Sequence, residues 1–134
     1  MEITIDKVEV LQDVKREIEY VGMKRGDYDK IRAIDADDDL LRRWISEVCL
    51  SLESELRDVG GPGIAAGSVW VLRIHNENGR GTWASATAQS YVESRVLVNW
   101  LQMVASDQAD VYALRAAEKL GELKKLVYYR SRIC

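Results

Sequence analysis

Between Gln89 and Arg130 two helical patterns run back to back, with only Ala105, Ser106 and Asp107 to turn between them. A link this short forces an antiparallel helical hairpin, and the rest of the chain must fold around it. In the first helix Tyr91, Val92, Val96, Leu97, Val98, Trp100, Leu101, Met103 and Val104 cover most of the circumference, which predicts a buried element. Its polar residues Arg95, Asn99, Gln102 and Ser106 recur at steps of four, three and four, so they gather into one narrow stripe that reaches solvent or faces a polar partner. The second helix carries Ala109, Ala113, Ala116, Leu120, Leu123 and Val127 at alternating steps of four and three, a seam whose small early residues admit a neighbouring backbone. Ser106 or Asp107 can cap its start, and Asp107 and Asp110 near the beginning with Lys124, Lys125 and Arg130 near the end suit its dipole.

A chain of 134 residues is one domain, able to bury roughly two thirds of its unfolded surface without staples. With 47% apolar and 31% charged residues and a single proline, it reads as an ordinary globular protein. No apolar run approaches a membrane span, and Met1 to Val10 alternates charged with apolar residues, unlike a signal peptide; the expectation is a cytoplasmic protein. Cys49 falls on the apolar face of a predicted helix and Cys134 is last, so no disulfide framework is expected. Residues 1 to 59 hold 16 acids and 10 bases, and residues 60 to 134 hold 6 acids and 9 bases. That polarity is too mild for a nucleic-acid footprint; the basic cluster Lys119, Lys124, Lys125, Arg130 and Arg132 reads as a solvated helix end.

Taken in order, Ile3 to Met23 predicts a helix after a short lead-in, with Val8, Leu11, Val14, Ile18 and Val21 on one face, Thr4 or Asp6 as cap, and Gly22 and Gly26 as its end. Gly26 to Ala36 is a connection anchored by Tyr28, Ile31 and Ile34. Asp35, Asp37, Asp38 and Asp39 then precede Leu41, Ile45, Val48, Leu52, Leu56 and Val59, an acidic start to a long amphipathic helix widened by Trp44 and Cys49. Residues 60–88 form a glycine-rich break and a β-hairpin: Ser68 to His75 alternates like a strand, Asn76 to Gly81 turns, and Thr82 to Thr87 returns as its partner. Trp70 and Trp83 either pack onto the chain's own helices or anchor a contact with another chain. The fold expected is mainly α: a single-domain bundle of four principal helices with a β-hairpin inserted between the second and third.

Chemistry is harder to find. The alternating Asp35, Asp37 and Asp39 imitate the start of a calcium loop, but Leu40 stands where a glycine is needed and Ser46 where a bidentate glutamate is needed. Capping and dipole compensation explain these carboxylates without an ion. Gly61-x-Gly63 lies after a helix and before a strand, the reverse of a dinucleotide loop. His75 is the only histidine, beside a turn with Glu77 nearby, and Cys49 lies among leucines and valines with no local base. Glu53 and Glu55, like Glu17 and Glu19, are not spaced to share a helix face. No catalytic residue, cofactor or metal is expected.

The run Ala33-Ile34-Asp35-Ala36-Asp37-Asp38-Asp39-Leu40-Leu41, with the helix that follows it through Val59, resembles small head-tail connector proteins of tailed bacteriophages and prophages. Residues 5 to 59 carry most of the resemblance; Tyr91 through Trp100, then Tyr112, Leu120 and Arg130, look like the closing helices of phage neck and head-completion proteins. The resemblance implies a non-enzymatic subunit joining portal and tail in a ring of copies, in the bacterial host cytoplasm and then in the virion. A ring needs two different patches on each copy. The hairpin with Trp70 and Trp83 is expected to supply one and a helix face, with Arg95, Asn99 and Gln102 in its polar stripe, the other. The alternatives are a helical partner-binding or regulatory module and an enzyme of unknown type.

Overall fold

Ile3 and Ile5 alternate with Glu2, Thr4 and Asp6, a period-two pattern that makes the start of the chain a strand. In the computed structural model, which describes residues 1–26, 37–75 and 81–128, β1 (Glu2–Asp6) leads directly into α1 (Lys7–Arg25). There follow α2 (Asp38–Glu55), β2 (Ile64–Ala66), β3 (Val69–Arg73), α3 (Gly81–Val104) and α4 (Ser106–Tyr128). The architecture is mainly helical, with four described helices and a β-hairpin between the second and third. The expected connection through Tyr28, Ile31 and Ile34, residues 76–80 of the expected turn, and Asp35, Arg130, Arg132 and Cys134 lie outside the described residues.

The helical hairpin is as its periodicity requires. Ala105 alone separates α3 from α4, its N–H donating to the Leu101 carbonyl at 2.7 Å. Ala109, Ala116, Leu123 and Val127 are buried and Ala113 and Leu120 half-buried, so α4 lies along α3 on that seam. Because α3 packs against α1, α2 and β1 as well as α4, it is buried on most sides, through Ala84, Ala88, Val92, Val96 and Leu101 among others. Of the predicted series, Leu41, Ile45, Val48 and Leu52 are buried on α2, which ends at Glu55, short of the expected Val59; Leu56 at its C-cap is buried and Val59 beyond it half-buried. Each such side chain contributes roughly 1.5–3 kcal/mol by leaving water.

The sheet departs from the sequence reading in two ways. Its order is β1-β3-β2, all antiparallel, so β3 is central and β1 is a strand where the start of a helix was expected. Helix α1 begins at Lys7 because Asp6 Oδ1 accepts the N–H groups of Val8 and Glu9 at 3.0 and 3.2 Å. The start at Lys7 brings Val10 into the buried face and leaves Val8 49% exposed at its margin. Secondly, β3 pairs with Ile64–Ala66 and not with Thr82–Thr87, which is the first part of α3. Ala84 and Ala88, one turn apart, are both fully buried, and alanine favours the helix that burying them demands. The hairpin that does form turns through Gly67 and Ser68; Gly67 has φ +64° and Ser68 a negative φ, the pattern of a type II′ turn.

The inner face of the sheet carries Ile3, Ile5, Trp70 and Leu72, all buried. Gly63 lies against the Trp70 indole so closely that a Cβ there would stand 2.5 Å from the ring, which accounts for a glycine at that position. Its N–H donates to the Glu53 carboxylate of α2. At the acidic start of α2, Asp37 occupies the cap position without a side-chain cap bond, contrary to the capping expected there. Asp38 instead pairs with Lys15 of α1 at 2.9 Å and Asp39 with Arg42 at 3.2 Å, both in a first turn where the dipole favours negative charge.

Candidate functional site

The two edges of the sheet are treated in opposite ways. In the β1–β3 ladder Met1, Ile3 and Ile5 point their backbone groups at β3, which leaves Glu2, Thr4 and Asp6 facing outward. Helix α3 closes that edge. Thr4 N–H donates to Ser85 Oγ at 3.0 Å, Asp6 N–H donates to Gln89 Oε1 at 3.4 Å, and Ser85 Oγ donates to the Glu2 carbonyl at 3.4 Å. On the other side Ala66 and Val69 close the turn and Ile64 pairs with Val71, so Ala65 between them directs its N–H and C=O away from the sheet. All three residues of β2 are exposed, Ile64 by 67%. Ile64 shares the outer face with half-buried Val71 and Val69, and Glu2 and Arg73 pair there at 3.6 Å. Among the described residues no strand or side chain closes this edge, which stands open beside a small apolar surface.

The residues singled out from the sequence do not form one site. Trp70 is buried beneath the sheet and packs on the chain's own core, so it is not available to a partner. Trp83 is 66% exposed but stands on α3, not on a strand. On that helix Arg95 and Asn99 are half-buried and Gln102 is exposed, so the stripe emerges towards solvent at its C-terminal end. His75 is exposed beside Gly61. Cys49 is buried, and burial pushes its thiol up to about 11 despite the nearby Lys7 charge, which removes its nucleophilic form at neutral pH. Among the described residues no group of three or more His, Cys, Asp or Glu side chains is arranged to hold a metal ion, and no helix is long and apolar enough to cross a membrane.

One chemical feature escaped the sequence reading. Where α1, α3 and α4 meet, a cleft of ≈ 280 Å³ is lined by Asp13, Arg16, Glu17, Glu93, Arg115 and Lys119 among others. Burial raises the Glu93 carboxyl to about 8, helped by its hydrogen bond to Asp13 and by the charges of Asp13 and Glu9, while a hydrogen bond from Gln89 opposes the shift. Glu93 therefore holds its proton at neutral pH and bonds to Asp13, whose Oδ1 also accepts from Arg16 at 3.2 Å. Nearby, burial raises the pKa of Tyr112, helped by the hydrogen bond its hydroxyl donates to Glu17 Oε1 at 2.7 Å, and Arg115 lies 4.8 Å above its ring. These polar groups tie three helices together. The signal was a lone acid, Glu93, within a helix otherwise apolar nearly all round.

Compared with protein-family models, with curated proteins and with solved structures, the chain matches none.

Proposed function

We propose that this chain is a non-catalytic assembly subunit of the (pro)phage head-tail connector kind, and that the open β2 edge takes a strand from the portal or tail protein it joins. The observation that carries the reading is the contrast between the edges: side chains of α3 close β1, whereas Ala65 offers both backbone groups and Ile64 an exposed side chain. An open edge is a template for strand addition, in which main-chain bonds supply affinity and alternate side chains supply specificity. Soluble proteins generally cover or charge such an edge, and this one carries neither lysine nor proline within the strand. Trp83 and Gln102 are further exposed contacts for the same assembly.

The test is Ala65→Pro, which removes an outward N–H while sparing the ladder bonds to β3. Genes flanking the coding sequence supply the candidate portal, capsid and tail proteins, each co-expressed with the chain. The wild type should co-purify with one of them and A65P should not, with unchanged circular dichroism. Absence of virion genes from the flanks, or equal capture of A65P, overturns the reading.

A further inference from the structure

A second pair of surfaces, apart from the outward backbone edge of Ala65, has matching chemistry. The first is a groove of ≈ 350 Å³ where α1, α2 and the hairpin turn meet, lined by Lys7, Val8, Leu11, Arg42, Ile45, Ser46, Gly67 and Ser68. Leu11 and Ile45 form its buried floor and Val8 stays half open above them. Two cations and no carboxylate line it; Arg42 is shared with Asp39, a carboxylate almost wholly in solvent. The second surface is the outer side of α4, opposite its buried seam of Ala109, Tyr112 and Ala116. There Val111 and Leu114 are 56% and 63% exposed, on adjacent turns, flanked by exposed Asp110 and Glu118, with exposed Arg115 beside them held over the Tyr112 ring. One patch is an apolar hollow with a basic rim, the other a pair of aliphatic side chains with acidic neighbours.

The two cannot meet within one molecule. The groove belongs to α1, α2 and the hairpin, while α4 packs along α3 and turns Val111 and Leu114 away from it. We infer that the groove of one copy receives the Val111–Leu114 face of a second copy, with Lys7 and Arg42 of the first meeting Asp110 and Glu118 of the second. This rests on the reading of the chain as an assembly subunit and names its copy-to-copy contact, separate from the β2 edge that meets a different protein. Two unlike patches give a heterologous contact, which propagates from copy to copy and either closes into a ring or continues as a filament. Opposite charge around the two patches fixes orientation and excludes groove-to-groove pairing.

Sedimentation velocity on two exposed-site variants tests this. Val8→Glu blocks the groove and keeps the α4 face; Leu114→Glu blocks the α4 face and keeps the groove. Wild-type chain should grow beyond dimers as concentration rises. Each variant alone should stay monomeric, and an equimolar mixture should form 1:1 dimers and nothing larger, because each mixed pair has one intact contact. Charge reversal gives an independent arm: Lys7→Glu with Arg42→Glu should weaken growth at least tenfold in concentration, and adding Leu114-intact chains carrying Asp110→Lys and Glu118→Lys should restore pairing. Monomeric wild type, a monomeric mixture of the two variants, or a single variant that grows like wild type overturns the inference. The A65P capture experiment is untouched by any of these outcomes, so the copy-to-copy contact and the assembly reading fail separately.

Discussion

Glu93 shows how a single carboxyl sets a pH dependence. Its pKa is about 8 in the folded chain against an ordinary value of 4.5, so between those values the folded state keeps a proton that the unfolded state releases. Stability from this group is therefore complete below pH 4.5 and is lost as pH rises through about 8. Above that, ionised Glu93 faces Asp13 and Glu9 across the α1–α3 contact. Glu93→Gln keeps a donor for Asp13 and cannot ionise. The melting temperature of the wild type should fall across this range, and the variant's slope should be much shallower. Equal slopes for the two proteins would assign the pH dependence elsewhere. Little of this was legible in the sequence, because a raised carboxyl needs a neighbour from another helix, and Asp13 lies 80 residues from Glu93 with no periodicity linking them.

At the scale of elements, the helix cores and the central strand β3 were legible, whereas β1, β2 and the first turns of α3 were not, for a physical reason. Apolar spacings of three and four along α2 and α4 report burial on a single face, which one sequence stretch records by itself. A strand's partner is recorded nowhere locally. Thr82–Thr87 alternates well enough for a strand, yet the burial of Ala84 and Ala88 against the core makes it a helix. Ile64-Ala65-Ala66 has almost no strand signal, yet the Gly67 turn folds it onto β3. The same helix start closes the β1 edge through Ser85 and Gln89. Replacing both with alanine should cost about 1 kcal/mol per lost bond and speed amide exchange at Thr4 and Asp6, with other strand amides unchanged. Unaltered exchange at those two amides would mean that water serves the edge equally well.

For the whole molecule, the short N-terminal strand is what joins sheet to bundle. Ile3 and Ile5 are fully buried and cover Trp70, while Asp6 caps α1, so five residues touch the sheet, α1 and α3 at once. Deleting Glu2–Asp6 should remove roughly 2–5 kcal/mol for each isoleucine, against a total of about 5–15 kcal/mol for a domain. Loss of the cooperative melt and a red-shifted tryptophan emission are expected; a shortened chain that still melts cooperatively would show that the helices suffice. The same strand has a consequence for synthesis. Asp6 N–H finds its acceptor on Gln89, 83 residues further along the chain. At ~5–20 residues per second, that interval is on the order of ten seconds on the ribosome. For most of it, until Val69–Arg73 arrives, the nascent chain carries Ile3 and Ile5 in an unpaired strand, and thereafter a β1 edge that α3 has yet to close, so chaperone capture or aggregation competes with the arrival of both segments.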